Sequence, residues 1–289
     1  MKPLYVFLFL AFLISPKAPA QSTGMGSFPP DIFDAFSRMD SALTSPPAEY
    51  SPEDMYYLGR AVGAGILGQY KPLPDSALTQ YLNLICTTIA INSPQPAGYN
   101  GYQVTILDSP ELNAFATPGG HIFICRGMVE AVDSEDALAA IIAHELAHIQ
   151  LQHGIEIIQA TELARSLSET ADRAAALIVR DLGLAERTLI FGTTVRDLAS
   201  TLLANGYSQT QEFAADAYAL ELLSVSGYAP SGMAAVLRIL EETDLSEGFN
   251  ATHPPPLLRI VRVQDALRKY PPRDPYPVRN TRHQTRTRR

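Results

Sequence analysis

His144-Glu145-Leu146-Ala147-His148 places two imidazoles and a carboxylate within five residues. On a helix at about 100° per residue the two histidines stand about 40° apart and one turn above each other, so both rings can reach one ion. Glu145 lies about 60° from His148 on the flank of that face, where a carboxylate can touch water on the ion without ligating it. This division of labour suits hydrolysis: two groups hold a Lewis acid and the third moves a proton. The plain alternative is a satisfied polar cluster. The segment from Ala137 to Leu151 is apolar on nearly all sides, so these three groups would be buried and in need of partners. A metal ion satisfies all of them at once.

A zinc site of this kind needs a third protein ligand and keeps one position for water. Glu212 supplies it. It opens Glu212-Phe213-Ala214-Ala215-Asp216, 64 residues after His148, with Glu212 and Asp216 one turn apart. Acids spaced this way usually mark a solvated face, but Phe213, Ala214, Ala215 and Ala217 argue against exposure. Metal-bound histidine commonly gives its other N–H to a carboxylate, which makes Asp216 the candidate to orient His144 or His148. The chemistry expected is water activation, with Glu145 as general base. One Zn2+ per chain is the expected cofactor.

His253, in Thr252-His253-Pro254-Pro255, stands at a loop-to-helix junction. It can ligate the ion in a closed state, bind substrate, or hydrogen-bond locally at the helix entry. His153 falls about 180° around the helix from His144 and reads as a partner of the helix dipole. His121 begins a strand, and His283 sits in the tail; neither reads as a ligand.

Supporting elements follow from periodicity. Ser51-Pro52-Glu53-Asp54 opens a helix to about Gln69, and a second follows Pro74-Asp75 with Leu78, Leu82, Ile85 and Ile89 on one face. The period then switches to two at 103–107, 113–117 and 121–125, with Pro118-Gly119-Gly120 making a hairpin. Helices are expected over 134–153, 156–182, 185–204, 208–226, 230–243 and 255–269. Helices, a short sheet, then helices again make the fold class α+β. Glycines 183, 192 and 206 are candidate hinges for helices that cover the cleft.

The chain has 289 residues, 46% of them apolar and 18% charged, with a formal charge of −8; this composition excludes a disordered chain and makes nucleic acid a poor partner. Met1-Lys2, an apolar run from Leu4 to Ile14 and Ala18-Pro19-Ala20 read as a cleaved signal peptide over 1–20, too short in its apolar part to span a bilayer. Residues 21–50 read as a flexible leader, 51–270 as the metal-binding domain, and 271–289 as a flexible tail. That tail holds six arginines against Asp274, and peripheral contact with membrane or envelope proteins is its functional alternative. The expected location is exported: periplasmic or extracellular. In such a compartment Cys86 and Cys125 are equally readable as a disulfide or as two buried thiols.

Four ordered motifs carry a resemblance. Asn113-Ala114-Phe115-Ala116 with Pro118-Gly119-Gly120, the His144 to His148 motif, Glu212 to Asp216, and His253-Pro254-Pro255 resemble the zinc metalloproteases related to the CAAX prenyl protease, over about residues 51–269. The resemblance implies a zincin-type endopeptidase with His144, His148 and Glu212 on zinc. It also implies protein or peptide substrates, a role for small exported members in envelope quality control, and a cleft lined by the strand His121 to Cys125, whose edge could pair a substrate. Arg259 matches an arginine of the family pattern, placed either to stabilise the oxyanion or to pair with Asp216 or Glu212. A non-catalytic, zinc-stabilised chaperone-like binder is the competing function.

Overall fold

The computed structural model describes residues 49–157, 159, 206–242, 253, 256–273 and 276–287. The expected signal peptide, nearly all of the leader, the helix over 185–204, most of that over 156–182, and the hinge glycines 183 and 192 lie outside the described residues.

Two helices come first. Helix α1, Pro52–Leu67, starts on a capping box in which Ser51 and Asp54 satisfy each other's backbone N–H, with Pro52 in the first turn. Helix α2, Ser76–Ala90, is capped by Asp75 and buries Leu78, Leu82, Ile85 and Ile89. Strands β1 (Gln103–Leu107), β2 (Ala114–Thr117) and β3 (His121–Cys125) form a mixed sheet in the order β1-β3-β2. β1 runs parallel to β3, and β2 and β3 form the hairpin. Gly119 and Gly120 make its turn at φ +76° and +118°, and a Cβ on Gly119 would come within 2.3 Å of the Tyr56 backbone on α1.

This order corrects one expectation. β3 is hydrogen-bonded on both sides, so it offers no edge; the outer strand of the hairpin is β2, with no further strand on it among the described residues.

The short helix α3, Arg126–Ala131, leads to helix α4, Glu135–Gln150, capped by Ser134. Fifteen of the sixteen residues of α4 are buried, so it is the core of the molecule rather than an amphipathic surface helix. Around it pack α2, the sheet and helices α5 (Gln209–Val225) and α6 (Ser231–Glu241), and α7 (Pro256–Leu267) packs in turn on α5 and α6. The start of α6 approaches so closely that a Cβ on Gly232 would sit 2.3 Å from the Asp136 carbonyl oxygen. The result is α+β, mostly helical with one small sheet.

The tail departs from expectation. Residues Pro277–Thr287 form helix α8, docked on the first turn of α4. Arg282 makes a forked pair with the buried Glu135, which also accepts from the Tyr81 hydroxyl at 2.9 Å. Arg279 donates to Asp136 at 3.3 Å and to the Gly227 carbonyl at 2.9 Å. His283 is buried with Nε2 3.1 Å from the Val132 carbonyl oxygen. A charge count reads arginines as solvated; here two of them neutralise acids that belong to a different part of the chain.

Cys86 and Cys125 are both buried and free. Cys86 packs in the main core and Cys125 in a separate cluster with Ile66, Leu107, Phe115 and Phe123, which explains why they do not meet. Among the described residues no helix is long and apolar enough to cross a membrane.

Candidate functional site

The last two turns of α4 carry His144, Glu145 and His148, at 2%, 0% and 1% exposure. Helix α5 begins at a capping box, Ser208 with Gln211, and this fixes Glu212 in its first turn and Asp216 one turn later, both facing α4. The His144 and His148 Nε2 atoms are 3.1 Å apart. Glu212 Oε2 lies 3.4 Å from His144 Nε2, and Glu212 Oε1 lies 3.3 Å from His148 Nε2. These spacings bring the two imidazoles and both carboxylate oxygens close enough to share one ion. His253 joins them. One ligand atom from each of His144, His148, Glu212 and His253 falls within 4.8 Å of the others, and all four residues are buried.

Outside this ring each histidine is held from behind. His144 Nδ1 is 3.1 Å from Asp216 Oδ1, which settles which imidazole that acid touches. His148 Nδ1 is 3.0 Å from His153 Nδ1. The expectation for His153 extrapolated the helix through its own end: Leu151 is the C-cap, Gln152 adopts φ +59°, and the chain turns His153 back onto His148. One face of the His148 ring carries Tyr207, stacked at 3.8 Å between centroids and 19° between planes. Neither His153 nor Tyr207 is apparent from helical spacing, because both depend on how an element ends.

Arg259, from α7, is 1% exposed. Its Nη1 lies 2.8 Å from Glu212 Oε2, and Nε and Nη2 donate to the two oxygens of Asp216 at 2.8 and 2.7 Å. Of the two placements open from sequence, this is the ion pair, made with both acids at once. His253 Nδ1 contacts Glu212 Oε1.

The electrostatics follow from burial and these neighbours. Burial pushes the Glu145 carboxyl up to about 7, against the pull of His144 and Arg259. Burial works to raise Asp216 as well, yet Arg259 and His144 hold it down at about 2. Glu212 stays well below the usual carboxylate range despite burial, because His253, Arg259 and His144 surround it. Burial, then Glu145 and Glu212, push the Tyr207 phenol upward, so it remains a hydrogen-bond donor.

Both carboxylate oxygens of Glu145 are buried without a hydrogen-bond partner among the described residues. A buried ionisable group left so is costly and calls for a ligand or water. The gathered donors of His144, His148 and Glu212, with His253 facing the same space and the unpartnered acid beside them, fit a divalent metal.

Residues 76–267 match the family profile described as Peptidase family M48. The chain is 31% identical to the Mitochondrial metalloendopeptidase OMA1 of Schizosaccharomyces pombe (strain 972 / ATCC 24843) over 173 residues, 57% of this chain and 47% of that protein. It is 23% identical to the Beta-barrel assembly-enhancing protease of Escherichia coli (strain K12), covering 81% of this chain and 49% of that one. With Metalloprotease LoiP of the same organism it shares 25% identity over 92% of this chain and 97% of the relative. The chain thus spans about half the length of the first two relatives.

Proposed function

The chain belongs to Peptidase family M48, and on that premise we propose that it is a zinc-dependent endopeptidase acting on proteins or peptides. His144, His148 and Glu212 would hold the ion, and Glu145 would be the general base. The observation that carries this reading is Glu145: a fully buried carboxylate with no partner among the described residues, beside donors from His144, His148 and Glu212 gathered closely enough to share one ion.

Zinc held there would supply Lewis-acid polarisation of the scissile carbonyl and a more acidic attacking water. Glu145 takes the proton from that water and hands it to the departing amine. Its carboxyl, raised to about 7, is matched to such a transfer near neutral pH. Asp216 and His153 hold the outer nitrogens of His144 and His148 and so fix the direction of both rings. Arg259 clamps Glu212 to Asp216 and limits the negative charge that the two acids bring. His253 supplies a further donor facing the same space.

The proposed setting is the bacterial envelope after export, with misfolded or unassembled proteins as substrates. The signal-peptide pattern in residues 1–20 supports export, and the two E. coli relatives, one named for enhancing β-barrel assembly, support the setting.

Incubating zinc-loaded protein with casein tests the activity. Wild type should release peptides, and a chelator should stop it. Glu145→Gln should keep its zinc and lose turnover. Cleavage by Glu145→Gln at the wild-type rate would overturn the mechanism, and client binding without cleavage at any zinc level would favour the binder.

A further inference from the structure

β2 is an outer strand of the sheet, with no further strand paired to it among the described residues, and its register says which atoms face outward. The Cys125 N–H donates to the Asn113 carbonyl, so residues 113, 115 and 117 point their polar groups at β3. By the alternation of an antiparallel pair, Ala114 and Ala116 point theirs at the open side. Two of those outward atoms are taken. The Ala114 N–H donates to Asn113 Oδ1 at 2.9 Å, and the Ala116 carbonyl accepts from the Tyr207 hydroxyl at 3.4 Å.

Tyr207 thus spans from the edge to the histidines. Its ring lies flat on His148 and 5.8 Å from the His253 ring, while its hydroxyl rests on β2. A peptide whose scissile bond met the donors at His144 and His148 while pairing with β2 would need this space. The contact to Ala116 is long for O–H···O, where about 2.7–2.8 Å is usual, so it exchanges at little cost. Gly206 precedes Tyr207 at φ +59° and Ser208 caps α5 directly after it, so the ring can swing without unwinding the helix that bears Glu212.

We propose that Tyr207 covers the substrate-pairing edge of the resting protein, its hydroxyl standing in for a backbone N–H of an extended peptide on the Ala116 carbonyl. Binding an extended segment then means displacing that hydroxyl. This rests on the endopeptidase reading, and it makes Tyr207 a residue that sets affinity for extended chains rather than the rate of bond cleavage.

The test uses the zinc-loaded full chain with Glu145→Gln, which holds peptide without turnover, and fluorescein-labelled casein fragments read by anisotropy. Adding Tyr207→Phe keeps the ring on His148 and removes only the hydroxyl. It should tighten binding roughly two- to three-fold, the worth of one weak hydrogen bond no longer displaced. In the active chain Tyr207→Phe should lower KM by the same factor and leave kcat within about two-fold. Zinc content and melting temperature of Tyr207→Phe should equal wild type. Equal or weaker binding, or no binding by either protein, overturns the proposal. So does a kcat lowered about ten-fold at unchanged KM, which would place the hydroxyl on the reacting carbonyl. If fragments bind but the active chain never cuts them, the endopeptidase reading fails while the binding comparison still decides the role of Tyr207.

Discussion

Helix α4 buries charge at both of its ends, and the two ends treat it differently. In the first turn, Glu135 and Asp136 are met by Arg282, Arg279, the Tyr81 hydroxyl and the Ala229 N–H. In the last two turns, Glu145 is as deeply buried as Glu135 and has no partner on either oxygen among the described residues, although Arg259 sits nearby and is committed to Glu212 and Asp216. One end is closed and the other keeps capacity in reserve. Burial alone does not separate a structural acid from a working one; satisfaction does.

The largest effect expected from this contrast is on turnover. Glu145→Gln should cost about 10²–10⁴-fold in kcat with zinc content unchanged, because general base catalysis is lost and the ligands are not. A variant that lost zinc in proportion to activity would show that Glu145 is a ligand, and the contrast would fail. Asp216→Asn should weaken zinc binding by about 10–100-fold, measured by competition with a chromogenic chelator, and His153→Ala should do the same from the His148 side. Equal affinity in both would mean that the rings are held by packing.

At the closed end the effect should be on stability instead. Arg282→Ala leaves Glu135 buried with fewer counter-charges and should destabilise by about 2–3 kcal/mol in denaturant titration, the partial exposure of Arg282 keeping it below the value for a fully buried pair. Its zinc affinity should stay at wild type. The smallest effect is on pH dependence in chelator-treated protein. Glu145 is raised to about 7 from 4.5, so between those values the folded state binds more protons and stability falls as pH rises. His144 is raised to about 9, Glu212 and Asp216 outweighing burial, so its contribution is complete below 6.5 and gone above 9. Burial lowers His148, His253, His153 and His121, which act in the opposite sense below 6.5, so the fall belongs to the range above it: calorimetry from pH 7 to 9 should show a falling melting temperature. A temperature that rises across that range would break the assignment.

Much of this was legible in the residues. His144, His148, Glu212 and Asp216 come together because each sits at helical spacing on an apolar helix, and spacing along one helix is local geometry. The strands and their hairpin were equally readable from alternation and Gly119-Gly120. What was not legible depends on contacts between distant segments or on how elements end. The sheet order, which moves the edge from β3 to β2, is a tertiary choice. His153 needed the left-handed turn at Gln152, and Tyr207 needed the approach of the α5 cap to β2. The docking of α8 was hidden for another reason: composition reports how many arginines a segment has, and says nothing of which acids elsewhere await them.

The near-complete enclosure of α4 has a kinetic corollary. A helix with fifteen of sixteen residues inside exposes its amides only when the whole fold opens, so hydrogen exchange there should track global unfolding. His144 and His148 are then part of the slowest-opening element of the chain. Reconstitution after stripping should be limited by how fast an ion reaches the cleft, with no refolding phase ahead of it.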